Sequence, residues 1–306
     1  MKENKIVINI LLVVIMILVI IACVVLYMCF TNDVEIIEPQ IEGAMFSLEN
    51  YPKVETVAET LPLAEAFQSN FTKTNIADID IKHSQSYNSY ENLISGKTDL
   101  ILVKYPSADE IKLVKDNNLD LDIFPIVKDA FVFFVNTENP IDNLTLNQVQ
   151  DIYSCNAKNW KDIGGNDSLI KAFQRPKNSA SQLGMLELVM KNKKISEPIM
   201  QTISQTDGDI IDVISDYDNS QNAIGYSYYY YATNMYSSDE MKLLSINGIK
   251  PTYENIQTGL YNLQTSYYAV IREDEPEDSD ARKLLNAMMS EAGQRVAKEA
   301  GYVQNY

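Results

Sequence analysis

The sequence predicts an α/β fold with a parallel or mixed sheet, held outside a membrane by an N-terminal helix. Three observations lead to that reading. From Tyr51 onward, short continuous apolar runs alternate with stretches of helical periodicity, as buried strands separated by helices do. The stretch from Ile6 to Phe30, about 25 residues and almost wholly apolar, is long enough to cross a bilayer with some tilt. A length of 306 residues with 46% hydrophobic content is ample for one large domain or two moderate ones.

Each element follows in chain order. Lys2 and Lys5 precede the apolar stretch, while Asp33, Glu35 and Glu38 follow it. The positive-inside rule then leaves the N-terminus in the cytoplasm and puts the globular part outside the cell membrane. Ile20-Ile21-Ala22-Cys23 also matches a lipobox, in which Cys23 carries lipid after cleavage. Against that reading, the apolar run continues to Phe30, beyond the roughly 7–15 residues of a signal-peptide core. Residues 1–30 are therefore an uncleaved anchor or a lipoprotein signal, and intact mass separates the two. Residues 31–50, acidic and containing Pro39, read as a linker.

Pro62 suits the first turn of a helix whose Leu63, Phe67 and Phe71 recur at i, i+4. Asp99 to Val103 (DLILV) reads as a buried strand, and Ser107-Ala108-Asp109-Glu110 as a capping box opening the next helix. Strands are expected at Phe131–Val135, Leu169–Phe173, Met241–Ile246 and Ser266–Ile271, and helices at Thr145–Tyr153 and Gln182–Met190. Asp274 to Asp280 is an acidic surface loop, and one long helical pattern runs from Asp280 to near Gly301. The tyrosines of Tyr226-Ser227-Tyr228-Tyr229-Tyr230-Tyr231 suit half-buried packing rather than ligand contact.

Composition excludes several functions. A formal charge of −17 and a sequence pI near 4.5 oppose a nucleic-acid partner. The chain has one histidine, His83, which reads as a surface residue, and Cys155 is alone outside the apolar segment. No disulfide within the domain, transition-metal site or cofactor motif is expected from that inventory. With neither a nucleophile elbow nor paired carboxylates, no catalytic residues are expected and an enzyme is not predicted. One loop stands out: QRPKNSASQL, Gln174 to Leu183, joins an apolar run to a helix. An arginine before a serine-rich helix start is what an oxyanion site needs, although for this segment taken alone an ordinary capped helix start is the simpler reading.

From Tyr51 to the C-terminus the chain resembles the PstS-like phosphate-binding proteins, the substrate-binding components of phosphate ABC transporters. The resemblance rests on YPKVETVAETLPLAEAF, DAFVFFVNTENPIDNLTLNQVQDIYSCNAKNWKDIGG, AFQRPKNSASQ, NAIGYSYYYYA and the closing GYV, in that order. It implies the two-lobed periplasmic-binding-protein fold of type II, with crossover strands near Phe131–Asn136 and Ser266–Ile271. Residues 51–131 and 265–306 would form one lobe and 132–264 the other. A membrane-tethered, extracytoplasmic solute-binding protein for phosphate or a related oxyanion follows, delivering its ligand to an ABC permease. The other reading is a sensory or interaction domain on the same scaffold with an altered or lost anion site.

Carried over residue by residue, the resemblance assigns ligand contacts to Arg175, Ser179, Ser181 and Gln182, with Thr60 and Ser86 as further donors. Five positions depart from the family pattern. Val57 and Ala58 stand where hydroxyl residues are usual, Tyr105 stands where an acid precedes a proline, Ala180 replaces glycine and Leu183 replaces threonine. Val57 and Ala58 remove two donors, Ala180 adds a Cβ, and Tyr105 puts a ring in the cleft in place of a carboxylate that rejects fully deprotonated anions. Weaker phosphate binding and poorer rejection of sulfate are the expected result.

Overall fold

The structure is a computed structural model and describes residues 43–177, 179–197, 211–212, 214–215 and 220–306. The expected anchor on residues 1–30, with Cys23, and most of the expected linker lie outside the described residues. Among those described, no helix is long and apolar enough to cross a membrane. Met45 and Phe46, inside the expected linker, donate backbone hydrogen bonds to the Phe71 carbonyl (2.7 and 3.1 Å), and Phe46 is buried against Tyr51. The packed body therefore begins ahead of Tyr51.

β1 (Val54–Thr56) leads through a 3-10 turn at Ala58–Thr60 into α1 (Leu61–Thr72). Leu63, Phe67 and Phe71 share one face of α1 and are fully buried, the two phenyl rings stacked at 5.6 Å. β2 (Lys82–His83), α2 (Ser86–Ile94), β3 (Leu100–Val103) and α3 (Ala108–Asp116) follow. The capping box ahead of α3 is formed: Ser107 Oγ accepts from the Glu110 N–H (3.4 Å), and the Glu110 carboxylate accepts from the Ser107 N–H (2.7 Å).

β4 (Leu121–Asn136) comes next, then β5 (Asn143–Leu144), α4 (Leu146–Tyr153), β6 (Lys171–Ala172), α5 (Ala180–Gly184) and β7 (Ala223–Tyr228). The C-terminal part holds β8 (Met241–Leu243), β9 (Ser245–Ile246), α6 (Tyr253–Gln257), β10 (Gln264–Arg272), α7 (Asp280–Met289), α8 (Glu291–Glu299) and β11 (Val303–Gln304).

The main sheet runs β2-β1-β3-β10-β4-β7-β6, with β8 and β11 also on β4, while β5 and β9 form a separate pair. β1, β2 and β3 are mutually parallel, β6 is parallel to β7, and the remaining pairs of this sheet are antiparallel. β4 changes companions partway: Leu121 to Ala130 pair with β10, and Phe131 to Val135 pair with β7. Its length follows from this double duty, and the buried run Ala130–Asn136 is covered on both faces. One core gathers Phe131, Phe133, Tyr153, Trp160 and Tyr226. A second gathers Phe67, Phe71, Leu102, Tyr267 and Met288, and a third Tyr90, Ile101, Val103 and Val270. The chain passes between the first two cores along β4 and again near β10, where Leu263 packs in one and Tyr267 in the other.

Several elements differ from expectation. The Leu169–Phe173 strand shrinks to Lys171–Ala172, because Leu169 instead bridges Asn159. Met241–Ile246 splits at Leu244, its two halves joining different partners, β4 and β5. The single C-terminal helix breaks at Ser290 (φ −67°, ψ 162°), whose Oγ accepts from the Gly293 N–H (3.1 Å) and donates to the Ala287 carbonyl (2.7 Å). Ser290 thus closes α7 and caps α8. Ser290→Ala should cost about 1 kcal/mol, and thermal melting of the full chain should show a midpoint lower by roughly 2–4 °C.

Candidate functional site

Parallel strands end together, and ligand crevices in open α/β sheets form beyond those carboxyl ends. In the first half of the molecule the ends are Thr56, His83 and Val103. The segments that follow them are Val57–Thr60, Ser84–Ser86 and Lys104–Pro106. In the second half β6 and β7 end at Ala172 and Tyr228, and β6 leads straight into the Gln174–Leu183 loop.

That loop is more than a capped helix start. Ser179 does cap α5, its Oγ accepting from the Gln182 N–H at 3.3 Å. The Arg175 N–H also donates to Gln182 Oε1 (3.0 Å) and to the Tyr226 hydroxyl (3.1 Å), while its Nε donates to Ser181 Oγ (3.3 Å). Tyr226 donates to Gln182 Oε1 in turn, and Gln182 Nε2 reaches Gln174 Oε1 at 3.4 Å. Ser181 and Gln182 are buried and Arg175 and Ser179 half-buried, so the four residues singled out in this loop are brought together. α5 begins at Ala180, two residues earlier than expected, and continues as a π-helical turn to Met190.

The first half holds the other residues singled out in the sequence. Thr60 is fully buried and its hydroxyl donates to the Leu102 carbonyl at 2.7 Å, which commits it to the strand beside it. Ser86 opens α2, whose N-cap Gln85 makes no side-chain capping bond. Val57 is buried, Ala58 exposed and Leu183 46% exposed. Tyr105 is 62% exposed and leans edge-on against Tyr268, with ring centroids 5.5 Å apart. Successive residues of an extended chain point to opposite sides, so Lys104 turns the other way. Its Nζ is buried 2.8 Å from the Tyr228 ring centroid and 5.4 Å from that of Tyr267.

Lys104 thereby links the two halves of the molecule. The Tyr228 hydroxyl donates to the Ala180 carbonyl at 3.2 Å, which places the Lys104 contact beside the start of α5. Gly184 makes room for this approach: a Cβ there would lie 2.5 Å from the Tyr228 hydroxyl. At the same junction Asp129, 1% exposed, accepts from the N–H groups of Ala130 (2.8 Å) and Tyr230 (3.1 Å). The Tyr302 hydroxyl donates to the Glu59 carbonyl at 2.8 Å, and its ring stacks on Tyr230 at 3.8 Å. Among the described residues no group of three or more His, Cys, Asp or Glu is placed to hold a metal ion. His83 is exposed, as expected.

Sequence reasoning missed Lys104, Asp129 and the role of Tyr226 and Tyr228. Each left a signal: a lysine closing the DLILV run, a lone carboxylate inside an apolar strand, and tyrosines at a spacing of two. Burial pushes the Asp129 carboxyl up from 3.8 to about 6, with the Lys104 charge and two backbone N–H groups opposing the rise. The native state therefore holds this proton in a window where the unfolded chain has released it. The Asp129 contribution to stability is full below pH 3.8 and declines as pH rises towards 6, by up to roughly 3 kcal/mol. The melting midpoint of the wild type, measured against Asp129→Asn, should fall across that window. A difference that stays constant with pH would contradict the raised value.

Comparison with known proteins gives a consistent picture. A family model described as a PBP superfamily domain matches residues 52–292. The phosphate-binding protein PstS of Staphylococcus haemolyticus is 26% identical over 265 residues, covering 84% of this chain and 81% of its own. That of Staphylococcus saprophyticus is 28% identical over 251 residues, covering 79% and 76%. Among solved structures, one from Clostridium perfringens, described as a phosphate ABC transporter substrate-binding protein with bound phosphate, superposes with a TM-score of 0.64 at 24% identity. It covers 83% of this chain and 99% of its own. An ABC-type phosphate transport receptor from Vibrio cholerae gives 0.63 at 18% identity, over 82% and 98%. At these identities the structures establish a common fold.

Proposed function

The chain belongs to the PBP superfamily, as a distant homologue of PstS phosphate-binding proteins, and from that premise we propose that it captures phosphate or a related oxyanion outside the cell membrane. It would hand the ligand to an ABC permease. The relatives are binding proteins, and no catalytic step is invoked. Tethering through residues 1–30, as an uncleaved anchor or through lipid on Cys23, is part of the same proposal. So is the division into lobes 51–131 with 265–306, and 132–264.

The observation that carries the reading is the Arg175 loop. A half-buried guanidinium stands beside Ser181, on a loop held by a buried tyrosine, at the carboxyl end of a parallel strand. Arginine offers a planar fork of donors that stays charged at every accessible pH. In a chain of net charge −17 such a local cation is what offsets an unfavourable field. Ser179, Ser181, Gln182, Thr60 and Ser86 remain proposed contacts, although the Thr60 hydroxyl is already bound to Leu102.

Calorimetry on the full detergent-solubilised chain tests this, with phosphate and sulfate titrated separately. Saturable phosphate binding with weak rejection of sulfate is expected, since Val57 and Ala58 bring no hydroxyls and position 105 bears no carboxylate. A sensory or interaction domain is the second reading, favoured by those losses. Heat from neither anion would support that second reading.

A further inference from the structure

Resting on the oxyanion reading, we propose that Tyr302 is a positioning residue: its hydroxyl fixes the backbone of the turn that follows β1, and its ring ties that turn to the chain leaving β7. Tyr302 stands between α8 and β11. Its N–H donates to the Ala297 carbonyl at 3.0 Å, and Val303 beside it pairs with Lys128 of β4. With its backbone held in this way and only 1% of its surface exposed, the side chain makes two contacts that belong to different halves of the molecule. The hydroxyl donates to the Glu59 carbonyl at 2.8 Å, in the middle of the Ala58–Thr60 turn. The ring stacks on Tyr230, with centroids 3.8 Å apart and planes 13° from parallel.

Tyr230 gives this stack its consequence. It lies two residues beyond β7, a strand packed in the first core, yet its own ring is buried in the second core with Leu63, Phe67 and Tyr302. Its N–H is held by Asp129 Oδ1 at 3.1 Å, just before β4 passes from β10 to β7. Gly301, at φ 90°, brings the backbone so near this segment that a Cβ there would collide with the Asn234 side-chain amide. A shift of one half against the other therefore pulls on Tyr302, and through its hydroxyl on Glu59. The turn needs such an anchor. Val57 and Ala58 carry no side-chain donor, and the Thr60 hydroxyl is committed to the Leu102 carbonyl. The turn can serve an anion only through backbone N–H groups at the start of α1, and these are aimed by the path of the chain alone. Holding the Glu59 carbonyl fixes the peptide plane it shares with Thr60, and with it that path.

The test uses the full detergent-solubilised chain. Tyr302→Phe keeps the stack and loses the hydroxyl, whereas Tyr230→Leu keeps the hydroxyl and loses the stack. Thr145→Ala is the control: it removes the cap of α4, where Thr145 Oγ1 accepts from the Gln148 N–H at 3.2 Å, and so lowers stability without touching Tyr302 or the turn. Calorimetry with inorganic phosphate and, separately, sulfate should show a loss of roughly three- to tenfold in both tyrosine variants for whichever anion the wild type binds. Thr145→Ala should bind as the wild type does. Without any anion, amide hydrogen exchange over Val57–Thr60 should be faster in both tyrosine variants and unchanged over α4. Wild-type affinity in either tyrosine variant, or an equal loss in Thr145→Ala, overturns the proposal, since Tyr302 then serves stability alone. Unchanged exchange over the turn in Tyr302→Phe overturns it as well, and a tyrosine variant that does not fold reduces the pair to core residues with the same result. Binding lost in Arg175→Gln but intact in Tyr302→Phe sinks this inference alone, whereas a wild type that binds neither anion sinks the oxyanion reading with it.

Discussion

Replacing Gly293 by alanine is expected to destabilise the fold by roughly 3 kcal/mol, even though alanine is the better helix former by about 1 kcal/mol. The reason is the crossing of α7 and α8. A Cβ on Gly293 would lie 2.1 Å from the Ala287 carbonyl oxygen, 2.6 Å from that of Met288 and 2.8 Å from the Met288 carbonyl carbon. All three are backbone atoms of the last turn of α7, so no side-chain rotation relieves the overlap. Moving α7 would displace Leu284, Leu285 and Met288 from the core they share with Phe67 and Phe71. Moving α8 would break the Ser290 cap, which depends on the Gly293 N–H. A melting midpoint lower by roughly 6–12 °C is the expected reading for a body of this size. An unchanged midpoint would mean that the two helices separate at little cost.

This junction also shows what the sequence could and could not disclose. The Leu63, Phe67 and Phe71 stripe and the Ser107–Glu110 box were legible because each depends on residues within two turns of one another. Ser290 carries an equally local capping signal, yet the apolar pattern runs on through it, so periodicity alone merged two helices into one. The tight approach at Gly293 is a tertiary fact and leaves only a glycine as its trace. The same division holds at the candidate site. Arg175, Ser179, Ser181 and Gln182 lie within eight residues, and a loop signal located them. Lys104, Asp129 and Tyr228 are far apart in the chain and meet because β3, β4 and β7 bring them to one junction. Family resemblance drew attention to Tyr105, whereas strand alternation turns the neighbouring Lys104 towards the Tyr228 ring.

Arg175→Gln is expected to weaken phosphate binding about 100-fold or more in calorimetry. The effect follows from which atoms of Arg175 do what. Its backbone N–H holds the loop to Gln182 and Tyr226, and any residue at this position keeps those bonds. Its side chain contributes a bond to Ser181 Oγ, alongside further contacts, and a charge. Glutamine keeps an amide donor near the place of Nε and removes the charge with the planar fork. Two charge-assisted hydrogen bonds to an anion, at roughly 1.5–3 kcal/mol each, amount to at least two orders of magnitude in affinity. Arg175→Lys should recover part of the loss, because a point charge replaces some of the attraction without the bidentate geometry. The losses should shrink as ionic strength rises if the site is partly open to solvent, and persist if the anion is enclosed. Phosphate binding by Arg175→Gln at wild-type affinity would reduce the loop to a capped helix start and remove the observation on which the proposed function rests.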